Sequence, residues 1–129
     1  MWRKFLFITG FSGVAAVIRL PVGEWREQRE PRTMLLDAFH EVEAVARAKE
    51  IDLPGDAVDT AVGMIDALPD HGIASMQRDI MDGRPSELEA QTGAVVRFGR
   101  EQRVPTPVNG LIYAALLPHE RRARATMSD

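Results

Sequence analysis

The apolar positions of this chain fall at helical spacing almost throughout. Between Thr33 and Ile51, the residues Leu35, Leu36, Phe39, Val42, Val45 and Ala46 recur three and four positions apart. That spacing puts them on one face of an α-helix, with Asp37, Glu41, Arg47 and Lys49 on the other side. A second stripe, Val58, Ala61, Val62, Ile65 and Leu68, predicts a helix from about Pro54 to Leu68, stopped by Pro69-Asp70-His71-Gly72. Ser75 is placed to cap a short helix, Met76 to Asp82, closed by Gly83. Ser86 and Glu89 have capping-box spacing for a helix from Glu87 to Arg103, with Leu88, Thr92, Val95 and Gly99 along one face. Val104-Pro105-Thr106-Pro107 ends that helix. A last helix, Val108 to Leu117, presents Leu111, Ile112, Ala115 and Leu116, and the basic stretch from His119 to Asp129 reads as a frayed tail. No long alternating stretch argues for strands, so the expected fold class is all-α, a compact bundle of six or seven helices.

The first eighteen residues admit two readings. Met1 to Ile18 opens on Arg3 and Lys4 and continues as a mostly apolar run. A secreted protein's leader has this form, and Gly13-Val14-Ala15 could serve as its cleavage site. The run is also interrupted by Thr9, Gly10, Ser12 and Gly13 and is too short to span a bilayer. The same pattern suits a buried core helix, with small residues where neighbouring helices come close. Leu20-Pro21-Val22-Gly23 then forms a turn, with Gly23 allowing an unusual backbone angle. Glu24 to Glu30 is polar, and Pro31 suits the first turn of the next helix.

Composition narrows the function classes. With 129 residues, 45% of them hydrophobic, the chain can bury one real core and reads as one domain. It has no cysteine, which excludes disulfides, thiolate ligands and cysteine nucleophiles. A net charge of −3 argues against nucleic acid as a partner. His40, His71 and His119 show no metal-ligand spacing, so no metal is expected. The chain lacks G-x-S-x-G, a P-loop and G-x-G-x-x-G, so it carries no nucleotide fingerprint of its own.

Three polar residues remain as candidates for chemistry. Lys4, beside a buried run, is either a snorkelling lysine or a proton donor at the mouth of a cleft. A lysine ammonium can polarise a carbonyl and protonate the alkoxide formed on hydride addition. Glu87 is either a carboxylate favoured at a helix start or an acceptor for a substrate or sugar hydroxyl. Ser75 is either a simple cap or part of a receptor for a carboxylate anion.

Several stretches together resemble the C-terminal domain of the ketopantoate reductase (2-dehydropantoate 2-reductase) family. They are W-R-K-F at Trp2 to Phe5, L-P-V-G at Leu20 to Gly23, A-R-A-K-E-I-D-L-P at Ala46 to Pro54 and V-P-T-P-V-N at Val104 to Asn109. The densest is S-M-Q-R-D-I-M-D-G-R-P-S-E-L-E at Ser75 to Glu89, and the likeness runs from Trp2 to about Leu117. The resemblance implies a 6-phosphogluconate-dehydrogenase-like helical domain over residues 1–118, with 119–129 as a disordered tail. It also implies an N-terminal Rossmann domain, absent from these residues, that would bind NADPH and form a cleft for a small 2-keto acid. Lys4 matches the family's proton donor, Ser75 its substrate-contacting serine, and Glu87 the glutamate on the cofactor and substrate side of the cleft. Where family members often carry asparagines one and two turns after the lysine, this chain has Ile8 and Ser12. Ser12, the polar one of the two, is the further substrate-binding candidate. Thr92-Gly93 stands where the family often has N-G.

The expectation is therefore the substrate-binding and proton-donating half of an NADPH-dependent 2-keto acid reductase. It would work in pantothenate biosynthesis in the cytoplasm, without membrane or nucleic acid. As an isolated chain it is expected to be inactive, with a Rossmann domain as partner in cis or trans and a homodimer as its assembly. The alternative is a non-catalytic helical module of the same family that dimerises through its apolar first helix. On the family reading, Met1 to Ile18 is the first core helix and not a leader.

Overall fold

The first helix is the axis of the molecule. In the computed structural model, which describes residues 1–128, α1 spans Trp2–Ile18 and packs against every other α-helix. These are α2 (Arg29–Ala48), α3 (Ala57–Ala67), α4 (Ser75–Met81), α5 (Thr92–Gln102) and α6 (Pro107–Ser128). A single 3-10 turn, Val22–Glu24, joins α1 to α2, and no strand occurs among the described residues. The chain is all-α, as its periodicity predicts. None of these helices is long and apolar enough to cross a membrane.

A helix surrounded on all sides cannot be amphipathic, and α1 is not. Every residue from Thr9 to Ala16 is buried. Its small residues set how closely the neighbours approach. A methyl group at Gly10 would overlap the ring of Phe39 on α2, which is itself fully buried. One at Gly13 would meet Ile112 Cγ2 at 3.2 Å and Thr92 Oγ1 at 3.3 Å. The residues that a cleaved leader would remove thus form the centre of the core. The outer helices α2, α3 and α5 keep a buried stripe and a polar face.

Side chains close the helix ends from a distance. Arg26 Nη1 donates to the carbonyls of Ile65 (3.1 Å) and Leu68 (2.6 Å), and Nη2 reaches Asp70 at 2.6 Å, which closes α3. Glu41 on α2 accepts the N–H groups of Val108 (2.8 Å) and Asn109 (2.9 Å), capping the start of α6. Asn109 Nδ2 adds bonds to Glu41 (2.9 Å) and to the Ala38 carbonyl (3.3 Å). These are the first-turn donors a helix leaves unpaired, met here by a carboxylate that the α6 dipole also favours.

Four expectations from the sequence are corrected. Gly23 has no positive φ; it is needed because a Cβ there would come within 2.7 Å of Asp70. Among the glycines of the described residues, the one with positive φ is Gly83, after α4. The fifth helix begins at Thr92 and not at Glu87, with residues 87–91 in bends and turns. The sixth does not stop at Leu117. It runs through Pro118, which is exposed, so the carbonyl its ring leaves unpaired can face water. Glu120 and Ala123 beyond it are buried, so residues 119–127 belong to the packed helix and are not a frayed tail. Asp129, the end of the expected tail, lies outside the described residues. Leu111 and Ala115, placed on the buried face of α6 from sequence, are exposed; the stripe is Asn109, Ile112, Leu116, Glu120 and Ala123.

The two kinds of glycine give a direct test. Gly10→Ala should destabilise the fold by about 1–3 kcal/mol, because Phe39 has nowhere to move. Gly63→Ala, on the open face of α3 with nothing within 4 Å, should stabilise it by about 0.5–1 kcal/mol. Denaturant unfolding of the two variants measures both. An equal gain at the two positions would show that α1 is not limited by close approach.

Candidate functional site

Lys4, Ile8 and Ser12 stand four residues apart and so share one face of α1. Lys4 is exposed, Ile8 half-buried and Ser12 buried. The face therefore runs from solvent at its charged end into the core. Among the described residues the Lys4 ammonium has no hydrogen bond or ion pair. Its sequence neighbours Trp2 and Phe5 line an apolar concavity of about 400 Å3 with Ala94 and Phe98, over which Lys49 Nζ sits 4.4 Å from the Phe98 ring.

Ser75 is the first residue of α4, which packs on α1. It does not cap that helix, as its sequence position predicts. Ala74 occupies the cap position, and its N–H donates to Gln77 Oε1 at 3.2 Å. Gln77 is buried, and its Nε2 donates to the Leu20 carbonyl at 3.1 Å. Gln77 thus pins the start of α4 to the end of α1, and the exposed Ser75 hydroxyl has no partner among the described residues. With only seven residues, α4 adds little dipole of its own, so the anion-receiving role expected of a cap rests on the hydroxyl alone.

Glu87 is exposed and its carboxylate bonds to no other described residue. The capping box expected around it is not made, because both of its members have long-range partners. Ser86 N–H and Oγ–H donate to Glu120 on α6 (N to Oε1 3.0 Å, Oγ to Oε1 2.6 Å), while Leu88 N–H donates to Ser86 Oγ at 3.2 Å. Glu89 accepts from Tyr113 Oη on α6 and from Arg97 Nη1 at 3.1 Å. Ser86 Oγ still meets one N–H of the next turn, but Glu89 does not close the box, and α5 starts five residues later. The bond to Glu89, followed by partial burial, raises the Tyr113 pKa above the ordinary tyrosine value.

Lys4, Ser12, Ser75 and Glu87 are thus placed on α1, on α4 and on the segment after α4, and no hydrogen bond or ion pair joins them to one another. Three are exposed, with polar groups that bond to no other described residue. The three histidines are exposed, and no group of three or more His, Asp or Glu among the described residues could hold a metal. Sequence reasoning missed Gln77, Glu120 and Tyr113. Each acts through a partner more than twenty residues away, and no local spacing signals that.

Comparison with known proteins decides the family. The model described as "Ketopantoate reductase PanE/ApbA C terminal" matches residues 1–120. The chain belongs to this family. A similar relative is the 2-dehydropantoate 2-reductase of Vibrio cholerae, 35% identical over 115 residues, covering 88% of this chain and 38% of the relative. That of Caulobacter vibrioides is 30% identical over 115 residues, covering 89% and 39%. The structure of the dimeric ketopantoate reductase from Staphylococcus aureus superposes with a TM-score of 0.88 at 28% identity, covering 95% of this chain and 43% of that one. The chain thus spans about two fifths of the length of the relatives it matches.

Tyr113 is the only tyrosine, so alkaline ultraviolet titration reports it alone. It should ionise above about pH 10 and move back toward that value in Glu89→Ala. A raised pKa favours the protonated form in the fold. The stability it contributes is therefore complete below about pH 10 and lost as pH rises through the folded-state pKa. Titration at the ordinary value would show that the bond to Glu89 does not hold in solution.

Proposed function

We propose that this domain is the substrate-binding and proton-donating half of an NADPH-dependent 2-keto acid reductase of the 2-dehydropantoate 2-reductase type. The observation that carries the reading is the family match over residues 1–120, together with three exposed polar groups, on Lys4, Ser75 and Glu87, that no other described residue engages. A bound NADPH would supply a hydride to the keto carbon. The chain has no dinucleotide fingerprint and no strand among its described residues, so a Rossmann domain would hold most of the cofactor. The group here that fits the cofactor side is the Glu87 carboxylate, a free acceptor for a sugar hydroxyl or an amide N–H.

The roles of the other residues follow from their chemistry. The Lys4 ammonium polarises the keto oxygen and gives it a proton as the carbonyl becomes an alkoxide, so a 2-hydroxy acid leaves with neutral lysine behind it. Water then restores the proton, since Lys4 is exposed. The Ser75 hydroxyl donates to the substrate carboxylate. Ser12, buried two turns below Lys4, bounds the depth of the site, and Ile8 makes its wall apolar where an amide side chain is common in the family. The substrate class is a short 2-keto acid such as ketopantoate, and the setting is cytoplasmic pantothenate synthesis.

A second reading is a helical interaction module that forms homodimers; the first helix, expected from sequence to supply its face, is buried from Thr9 to Ala16 and cannot, and one observation favours α6 instead. Leu111 is 73% exposed on α6, next to exposed Ala114, Ala115 and Pro118 on the same side of the helix. A clean monomer by light scattering at high concentration would remove that reading.

The reductase reading is tested by NADPH oxidation with ketopantoate. The chain by itself should show no turnover, and turnover should appear with a matching Rossmann domain. In that pair, Lys4→Ala should lower kcat by about 10²- to 10⁴-fold, the usual contribution of a general acid. An unchanged rate in Lys4→Ala would remove the role given to Lys4.

A further inference from the structure

We propose that Glu120 and Arg124, in the last turns of α6, are positioning residues that fix the backbone carrying Glu87. This rests on the reading in which Glu87 faces the bound cofactor and substrate. Ser86, the residue before Glu87, has every polar group committed to this pair. Its N–H donates to both oxygens of Glu120, at 3.0 and 3.1 Å. Its hydroxyl donates to Glu120 Oε1 at 2.6 Å, and its carbonyl accepts from Arg124 Nη2 at 3.0 Å. Arg124 Nε in turn holds Glu120 Oε2 at 2.6 Å. On the other side of Glu87, the Leu88 N–H donates to Ser86 Oγ at 3.2 Å and the Leu88 side chain is fully buried.

The chain is therefore pinned immediately before and after Glu87, while the Glu87 carboxylate is exposed and unengaged. A second tie lies two turns earlier on α6, where Tyr113 Oη donates to Glu89. Tyr113 and Glu120, seven residues apart on one helix, hold residues 89 and 86 on either side of the same acid. A carboxylate that is only 2% exposed is costly unless its oxygens are fully bonded, and Glu120 has four bonds from Ser86 and Arg124. This expense is placed at the root of an irregular five-residue segment. Such a segment would otherwise move, and a displacement of about 1 Å in a reacting group costs about 10²-fold in rate.

The test uses the chain with its Rossmann domain and reads kcat/KM for the 2-keto acid. Glu120→Gln keeps the shape of the side chain and removes its charge. It should lower kcat/KM by about 10²-fold with the fold retained. Glu87→Ala should lower it as well, and adding Glu120→Gln to Glu87→Ala should cost nothing more, because the lost effect runs through Glu87. An unchanged kcat/KM in Glu120→Gln, or losses that simply add, would overturn the proposal. Should Glu120→Gln fail to fold, Arg124→Ala carries the same comparison, since that side chain is 57% exposed. If the parent pair shows no turnover, the reductase reading falls on its own. Amide hydrogen exchange in the isolated chain then decides the positioning role. Exchange at Ser86 and Leu88 should speed up by about tenfold or more in Glu120→Gln while Val95 and Leu116 keep their protection. Unchanged exchange at Ser86 and Leu88, or a uniform rise over the whole chain, would overturn it.

Discussion

The close approach of α2 to α1 at Gly10 is the constraint on which the rest of the structure depends. With no side chain at Gly10, the Phe39 ring lies against the α1 backbone. Gly13 does the same on the side of α5 and α6, where Thr92 and Ile112 come in. Five helices can surround one only if the inner one is thin. The interior gains its density from side chains of the outer helices, each seated against a nearly bare helix. Lys4 stands on the exposed first turn of that same helix. The best-packed element of the fold therefore carries the residue proposed to give the proton.

Rigidity is distributed to suit that arrangement. Gln77 ties α4 to the end of α1, and α6 ties down the segment between α4 and α5. Glu41 in turn fixes the start of α6 to α2. These are long-range bonds from side chains to backbone at places where the helices themselves leave donors or acceptors unpaired. Lys4, Ser75 and Glu87 make no such bonds. The polar groups given structural duties and those proposed to meet a ligand are different sets.

Much of the fold is legible in the sequence. The stripes of α2 and α3 are read correctly because they face one core from one side, which is what helical spacing encodes. The start of α1 is harder, since a helix buried all round has no polar face and looks like a leader until its small residues are given a packing role. The errors share a cause. The Ser86–Glu89 capping box is locally well formed, yet Glu120, Arg97 and Tyr113 take its groups. Ser75 has a capping side chain, yet Gln77 serves the cap position instead. Pro118 is a reasonable stop, yet it lies on the wet side of α6, where a missing backbone bond costs little. In each case a distant partner overrides a sound local rule. The candidate residues Lys4, Ser75 and Glu87 come from the family likeness more than from spacing, and their polar groups bond to no other described residue.

The inner helix also bears on how the chain acquires its structure during synthesis. Within this domain it precedes every segment that buries it, the last of them α6, whose Ile112 meets Gly13 almost a hundred residues on. Until α6 has left the ribosome, an apolar helix of seventeen residues has no complete shelter. Folding of this domain should therefore wait for α6 and then occur as one cooperative event.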